Sequence, residues 1–134
     1  MKYITHHRFK KKALCGKILN IPYGTELECR NNILYTPDNR MICYDTSENA
    51  KIHFAANDDG KGLERGKYTY EIAYGRKYVQ KKGFRFSDKQ RDIIGRHFQR
   101  FLRTDCDMII FNEKFFRASI EDLKQMADEL HIRV

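Results

Sequence analysis

The residues best suited to bind a charged partner are concentrated in the second half of the chain. Residues 76 to 103 contain ten Lys or Arg residues and two Asp residues, a surplus of eight positive charges. The whole chain of 134 residues has a formal net charge of +8 at pH 7 and a pI near 9.4. Clustered basic residues are typical of surfaces that bind nucleic acid. The sequence therefore predicts a local polyanion-binding surface.

A basic amphipathic helix is predicted to present part of this charge. At about 100° per residue, residues 87 to 103 fit a helix that begins at the cap Ser87. The predicted apolar face consists of Ile93, Ile94, Phe98, Phe101 and Leu102. The opposite face consists of Lys89, Arg96, Arg100 and Arg103.

Three further cations precede this helix and are predicted to belong to the same surface: Lys81, Lys82 and Arg85. Phe84 and Phe86 are interleaved with them. Alternating aromatic and cationic side chains can stack on bases while binding phosphates. The same two phenylalanines could instead pack the entrance of the helix into the core.

A stripe of like charges repels itself, so it requires counter-ions, neighbouring acids or a polyanionic partner. Asp92 is four residues before Arg96 and can form an ion pair with it on a helix. Residues 104 to 134 carry seven acids against four bases and could also neutralise part of the stripe. A solvated face with internal ion pairs and a nucleic-acid-binding face are therefore both open.

The segment Asn57 to Arg65 is the second candidate site. It contains Asn57, Asp58, Asp59 and Arg65 together with two glycines. Adjacent carboxylates and glycine-freed backbone amides could bind a metal ion or an anion. The spacing fits neither a twelve-residue calcium loop nor a phosphate-binding loop. We favour a structural turn, closed by a pair between Arg65 and one of the acids.

Histidines and cysteines offer a third kind of chemistry. His6, His7, Cys15, Cys29, Cys43 and His53 are types that bind soft metals, but Cys-x-x-Cys and His-x3-His spacings are missing. Cys15 with His6 or His7 as base would require a proximity that spacing cannot establish. Adjacent histidines on one strand point to opposite faces, which argues against a joint site. We expect no metal and no cofactor.

Composition limits the class of protein. A chain of this length with 41% hydrophobic residues fits one domain, residues 1 to 134. The polar segment from Met1 to Lys12 lacks the apolar region of a signal peptide, and the four cysteines are widely separated, which predicts reduced thiols in the cytoplasm of a bacterial host. No apolar run approaches 18 residues, so neither a membrane span nor a membrane partner is expected.

The pattern along the chain predicts an α+β fold: a small N-terminal antiparallel β-sheet or barrel followed by three to four helices. Residues 1 to 44 are expected to be mainly β and residues 45 to 134 mainly α. The predicted strands are Tyr3 to Lys12, Ala13 to Asn20, Thr25 to Cys29, Ile33 to Thr36 and Arg40 to Tyr44, with turns at residues 21 to 24 and 36 to 39.

Helices are predicted in four places after residue 44. One begins at Asp45, Thr46 or Ser47 and continues through Ala56, with Glu48 answering Asp45 in a capping box and Asn57 as a left-handed stop. Lys67 to Gln80 fits a strand as well as a helix, and we favour a helix. The basic helix follows after a break at Gly83. The last helix opens at Ser119, with Ile120, Leu123, Met126, Ala127 and Leu130 on one face.

Several stretches of the chain form a recognisable set: HHRFK (6 to 10), CG (15 to 16), NIPYGT (20 to 25), TSENA (46 to 50), FAANDDGKG (54 to 62), RG (65 to 66) and NEKFFRASIEDL (112 to 123). Together they resemble a family of small uncharacterised proteins from phages and prophages of Gram-positive bacteria. The basic segment is outside the resemblance. The resemblance implies a viral accessory protein and brings no catalytic residues. Small prophage proteins of this size include inhibitors of host defence such as anti-CRISPR proteins, an analogy of context alone.

Together these patterns predict a non-enzymatic binding protein whose basic helix engages nucleic acid or a nucleoprotein complex of the bacterial host. Inhibition of a host defence nuclease would be one use of such binding. The first alternative is a protein-binding module that docks on an acidic protein surface. The second is a small metal-dependent or Cys-dependent enzyme, which would require a pocket that gathers the Asp58, Asp59 and Arg65 loop with the histidines. The sequence leaves the oligomeric state open.

Overall fold

The computed structural model describes residues 1 to 75, 86 to 105 and 108 to 134. They form an α+β fold with an N-terminal antiparallel sheet, as the sequence predicts. The chain divides into two compact units, Met1–Gly66 and Lys67–Val134. The expectation of one domain stays a prediction, and each unit is described by itself below. Five α-helices lie in the described residues, where three or four are predicted.

The first unit contains seven strands: β1 (Lys2–Thr5), β2 (Phe9–Lys12), β3 (Ile18–Ile21), β4 (Glu26–Arg30), β5 (Ile33–Tyr35), β6 (Met41–Tyr44) and β7 (Phe54–Ala56). Five of them form an antiparallel sheet in the order β6-β5-β4-β1-β7, and β2 pairs with β3 as a separate hairpin. The register of β1 places Tyr3 opposite Leu27 of β4 and Ala56 of β7.

The turns predicted from proline and glycine are present. Gly24 has φ +81°, a conformation that costs glycine little, and Thr25 N donates to Pro22 O at 3.3 Å. Between β5 and β6, Asn39 N donates to Thr36 O at 2.9 Å, and Asn39 adopts φ +64°. These local signals therefore place β4 to β6 close to their predicted positions. The predicted strand from Ala13 to Asn20 is wrong at its start, because Gly16 N donates to Ala13 O and Ala13 N donates to Lys17 O in a turn, and β3 begins only at Ile18.

The predicted strand from Tyr3 to Lys12 is wrong as one element, because the chain bends at His6 and His7. His6 N and His7 N both donate to His53 O, at 2.9 and 3.2 Å. This contact with a distant residue turns the chain out of the sheet after Thr5. The two histidines therefore do not lie on a strand, and the argument that they face opposite sides does not hold.

The predicted helix through Ala56 ends earlier. Helix α1 (Glu48–His53) begins at the cap Ser47, whose Oγ accepts from Ala50 N at 3.1 Å, so Asp45 and Glu48 do not form the predicted capping box. Residues 54 to 56 form β7 because their backbone pairs with β1, an interaction that outweighs local helix propensity.

The core of the first unit is built from the inward faces of these strands. Its buried members include Phe9, Leu19, Ile21, Leu27, Leu34, Ile42 and Phe54. Their alternation with exposed residues along β3 and β4 follows the two-residue period of a sheet with one buried face. Burying such side chains is worth about 1.5 to 3 kcal/mol each, which holds the hairpin and the sheet in place.

Helix α2 (Gly62–Tyr70) continues into a π-helical segment, Glu71–Gly75. The helix favoured for Lys67 to Gln80 is thus confirmed as far as residue 75, and residues 76 to 80 lie outside the described residues, as does the predicted break at Gly83. Ile72 and Ala73 are fully buried and Tyr74 is nearly so.

The second unit contains α3 (Asp88–His97), β8 (Leu102–Asp105), β9 (Met108–Phe111), α4 (Glu113–Phe116) and α5 (Ile120–Glu129). β8 and β9 form an antiparallel pair in which Leu102 is opposite Phe111. Ser119 caps α5 by accepting from Asp122 N at 3.1 Å, as predicted. The predicted apolar face of α5 is buried: Ile120, Leu123, Met126, Ala127 and Leu130. In the part of the chain with assigned structure, no helix has the length and apolar character needed to cross a membrane.

Candidate nucleic-acid interface

Helix α3 carries the first residues of the predicted basic surface, and its start is fixed by polar contacts. Ser87 Oγ accepts from Gln90 N at 3.2 Å, and Gln90 Oε1 accepts from Ser87 N at 2.9 Å, which completes a capping box. Gln90 Nε2 also donates to Leu130 O at the end of α5. Phe86, just before the cap, is buried. The helix is therefore anchored at its N-terminus and presents its outer face in a defined orientation.

The predicted length of this helix is wrong, because α3 ends at His97. Phe98 leaves helical geometry at φ −123° and ψ 24°, and Phe101 N and Leu102 N both donate to Phe98 O at 3.0 Å. The resulting turn lets Leu102 begin β8 and pair with β9. Phe98, Phe101 and Leu102 are still buried, as predicted, but from a turn and a strand.

The four cations predicted on one helical face therefore occupy three elements. Lys89 and Arg96 lie on α3, Arg100 lies in the turn, and Arg103 lies on β8. All four are exposed. Lys81, Lys82 and Arg85 lie outside the described residues, together with Phe84, so their placement beside the helix stays a prediction.

Two of the four cations form ion pairs. Arg96 Nη2 is 2.9 Å from Asp92 Oδ2, the pair predicted from the four-residue spacing. Arg100 Nη2 is 3.1 Å from Asp122 Oδ1 on α5, so the acidic tail does neutralise one member of the stripe. The arginine side chains of both pairs remain more than 60% exposed. Exposed pairs contribute about 0 to 1 kcal/mol, so a phosphate can replace either carboxylate at little cost.

Among the side chains that the structure describes, which exclude that of Asp105, no carboxylate forms an ion pair with Lys89 or Arg103. They are therefore the cations of this surface whose charge is least compensated. We refer to Lys89, Arg96, Arg100 and Arg103 as the basic surface of the second unit.

A cleft of about 470 Å³ adjoins Arg100. Its lining consists of Arg100, Phe101, Glu113, Lys114, Arg117, Ala118, Ser119 and Asp122. The Arg100 guanidinium carbon is 4.6 Å from the centroid of the Phe101 ring, within the range of a cation–π contact. Three cations and two carboxylates share this cleft, so it suits a ligand with both anionic groups and hydrogen-bond donors.

The segment Asn57 to Arg65, in the first unit, is organised as a closed turn. Arg65 is buried and its guanidinium contacts Asp59 through two hydrogen bonds, of 3.2 and 2.5 Å, and donates to Ala56 O at 2.7 Å. The Arg65 guanidinium lowers the pKa of the Asp59 carboxyl to about 2. The predicted closure of the loop by Arg65 and one of its acids is confirmed.

The other polar groups of this segment also bind the protein itself. Asp58 Oδ1 accepts from Lys2 N at 2.9 Å, and Asn57 Oδ1 accepts from Gly62 N at the start of α2 at 2.8 Å. Gly60 has φ +74°, whereas Asn57 is not among the residues with positive φ, so the predicted left-handed stop at Asn57 is wrong. Its side chain instead serves as a cap for the following helix. These contacts are those of a structural turn.

Three histidines lie together near this turn, a grouping that the sequence did not reveal. The ring centroids of His6 and His7 are 6.3 Å apart, and those of His7 and His53 are 6.1 Å apart. His53 Nδ1 is 3.3 Å from His7 O. Burial lowers the pKa of His6 to about 4, helped by the neighbouring His7 and His53, and burial also lowers the pKa of His53. His6 is therefore neutral at pH 7.

His6 also packs directly on α2, since a Cβ atom added to Gly66 would lie 2.6 Å from His6 Cδ2. The side chain thus fills a space that only glycine leaves open. Within the described ranges, no three His, Cys, Asp or Glu residues are arranged to hold a metal ion. Within the cluster, His6 and His53 are buried, whereas His7 is exposed.

The described cysteines are free thiols. Cys15 and Cys29 are partly buried and pack against the core of the first unit, and Cys43 belongs to it. Burial raises the pKa of the Cys43 thiol, which disfavours the reactive thiolate. Cys106 lies outside the described residues.

Comparison with known proteins gives no relative for this arrangement. No family model matches the chain, and neither a curated protein nor a solved structure matches it. The geometry of the basic surface and of the turn therefore carries the functional argument.

Proposed function

We propose that this protein is a non-enzymatic nucleic-acid-binding protein that uses the basic surface of the second unit. The observation that carries the proposal is the uncompensated charge of this surface. Lys89 and Arg103 are exposed and have no carboxylate partner among the described side chains, and the ion pairs of Arg96 and Arg100 are exposed and weak. Phosphates bound there would release condensed counter-ions, which is the main source of affinity for nucleic-acid backbones.

The fold supports this proposal by holding the cations on anchored elements. The capping box and the Gln90 contact fix α3, and the pairing of β8 with β9 fixes Arg103. Preorganised cations lose less side-chain and backbone entropy on binding than cations on a disordered segment. In the sequence, residues 76 to 103 carry a surplus of eight positive charges, more than the four cations of the basic surface supply.

The test is binding of a fluorescent 20-nucleotide RNA and a DNA of the same sequence, measured by anisotropy between about 50 and 300 mM salt. Lys89→Gln with Arg103→Gln should lower the slope of log K against log salt by about 1.4, because each phosphate contact to a single strand contributes about 0.7. The matched control is Lys67→Gln with Arg133→Gln, which removes two exposed charges outside this surface. An unchanged slope in the first variant, or wild-type binding without salt dependence, contradicts the proposal.

A second candidate is a protein partner with an acidic surface. The Arg100–Asp122 pair favours this candidate, because in that pair a cation of the basic surface binds a carboxylate. Pull-down from bacterial lysate, with and without nuclease treatment, separates the two. Partners lost after nuclease treatment support nucleic acid or a nucleoprotein as the target, and partners that persist and depend on Lys89 and Arg103 support the acidic protein.

The resemblance to phage and prophage proteins suggests a more specific use, the inhibition of a host defence nuclease. Such inhibition would depend on the binding proposed above. It is tested by measuring how much target DNA the nuclease cleaves with and without the protein. The Lys89 and Arg103 variant should then lose inhibition in parallel with binding.

A further inference from the structure

The hairpin formed by β2 and β3 has a second concentration of positive charge, separate from the basic segment. Residues 1 to 25 contain six Lys or Arg residues and no Asp or Glu. The six cations are Lys2, Arg8, Lys10, Lys11, Lys12 and Lys17. The first acid of the chain is Glu26. Within this stretch of sequence, no acid offsets the charge of the six cations.

The register of the hairpin sorts its side chains onto two faces. Phe9 is opposite Ile21, and Leu19 shares their face; all three are buried in the core of the first unit. On the other face, Lys10 is opposite Asn20 and Lys12 is opposite Ile18. All four of these residues are exposed, and Ile18 is 72% exposed. One face therefore anchors the hairpin and the other faces solvent.

Arg8 continues the row of cations on the outer face. Its Nε donates to Asn20 Oδ1 at 2.9 Å, and Asn20 is the cross-strand partner of Lys10. Residues two apart on a strand are separated by about 7 Å. Arg8, Lys10 and Lys12 thus form one line of cations along the hairpin, which we call the hairpin row.

The hairpin row is uncompensated in the described residues, where none of its members forms an ion pair. Lysines on short strands also discourage pairing with another chain. Scattered charges are enough to prevent such pairing. Protection of the strand therefore does not explain why three cations lie in one line with an exposed isoleucine beside them. The row has the charge, the regular spacing and the adjacent apolar contact that a ligand with repeated anionic groups would use.

We propose that the hairpin row binds the phosphodiester backbone of single-stranded nucleic acid, with Arg8, Lys10 and Lys12 each facing a phosphate and Ile18 contacting a base. A single line of cations matches one backbone, and an apolar side chain beside it can contact the unpaired bases that a single strand exposes. The inference deepens the proposed function, because it adds a second contact surface for the same class of ligand. The two surfaces are tested separately below.

The experiment measures anisotropy of the same labelled 20-nucleotide single strands, as RNA and as DNA, and of the corresponding duplex. Arg8→Gln with Lys10→Gln and Lys12→Gln should lower the salt slope for single strands by about 2, since three contacts of about 0.7 each are removed. Arg8→Lys with Lys10→Arg and Lys12→Arg keeps the charge and should keep the slope. The altered side chains are exposed, and thermal melting checks that each variant is folded.

The outcomes distinguish this inference from the proposed function. If the slope of log K against log salt falls in the Lys89 and Arg103 variant but not in the variant with the neutralised hairpin, the hairpin inference is wrong and the proposed function stands. If this slope falls only in the variant with the neutralised hairpin, the inference stands and the assignment to the second unit is wrong. Loss of slope for the duplex alone overturns the single-strand assignment, and wild-type protein that binds none of the probes overturns both proposals.

Discussion

The buried histidine His6 makes the stability of the protein depend on pH in a defined window. Its exposed fraction is 9%, and burial lowers its pKa from 6.5 to about 4. Between these two values the unfolded chain binds a proton that the folded protein does not. The stabilisation linked to the uncharged state of His6 is therefore complete above pH 6.5. The free energy of unfolding falls as the pH drops toward 4.

The size of the effect follows from the difference between the two pKa values. At about 1.4 kcal/mol per pH unit, a difference of about 2.5 units corresponds to about 3 kcal/mol between pH 7 and pH 4. That is a large share of the 5 to 15 kcal/mol that typically separates folded from unfolded states. The lowered pKa of His53 acts in the same direction and adds to the loss.

Urea unfolding of the wild type and of His6→Gln at half-unit steps from pH 7 to pH 4 measures this contribution. The variant should lose about 3 kcal/mol less than the wild type over this range, whatever its stability at pH 7. His97→Gln, which alters an exposed histidine of α3, is the matched control. Parallel pH curves for the wild type and His6→Gln, or an NMR titration of His6 with a midpoint near 6.5, would refute the reasoning.

Three further predictions concern single residues. Gly66→Ala should destabilise the first unit by about 1 to 3 kcal/mol in urea unfolding, because its Cβ would overlap the His6 ring; unchanged stability would contradict this packing. Gly95→Ala, where a Cβ meets nothing within 4 Å on α3, should instead stabilise by up to about 1 kcal/mol in the same assay. Asp59→Ala should cost about 2 kcal/mol by thermal melting, since it removes the carboxylate that binds the buried Arg65, and a loss below 0.5 kcal/mol would show that this contact is dispensable.

Much of the local structure was predictable, because its signals are local. Ser87 and Ser119 cap the helices that they were expected to cap, and the turn at Thr36 to Asn39 joins β5 and β6. Each depends on a few neighbouring residues whose backbone preferences agree with the final structure.

The errors occur where distant pairing outweighs local preference. Residues 54 to 56 continue the period of α1, yet their backbone pairs with β1. Leu102 continues the apolar period of α3, yet it begins β8. The sequence therefore predicts the cations of the basic surface on one helix, whereas the structure places them on a helix, a turn and a strand. The histidine cluster was missed, because it forms only when His53 at the end of α1 meets the bend at His6.

The position of β1 inside the five-stranded sheet has a consequence for the order in which the first unit assembles. Strands β4, β5 and β6 follow one another and are joined by short turns, so they can pair as soon as residues 26 to 44 are available. β1 must then join β4 on one side, and β7 must close on its other side, after a much larger separation along the chain. Pairings that are distant in sequence are the slow ones. The hydrogen bonds of β1 are therefore complete only after Phe54–Ala56 has joined its other side.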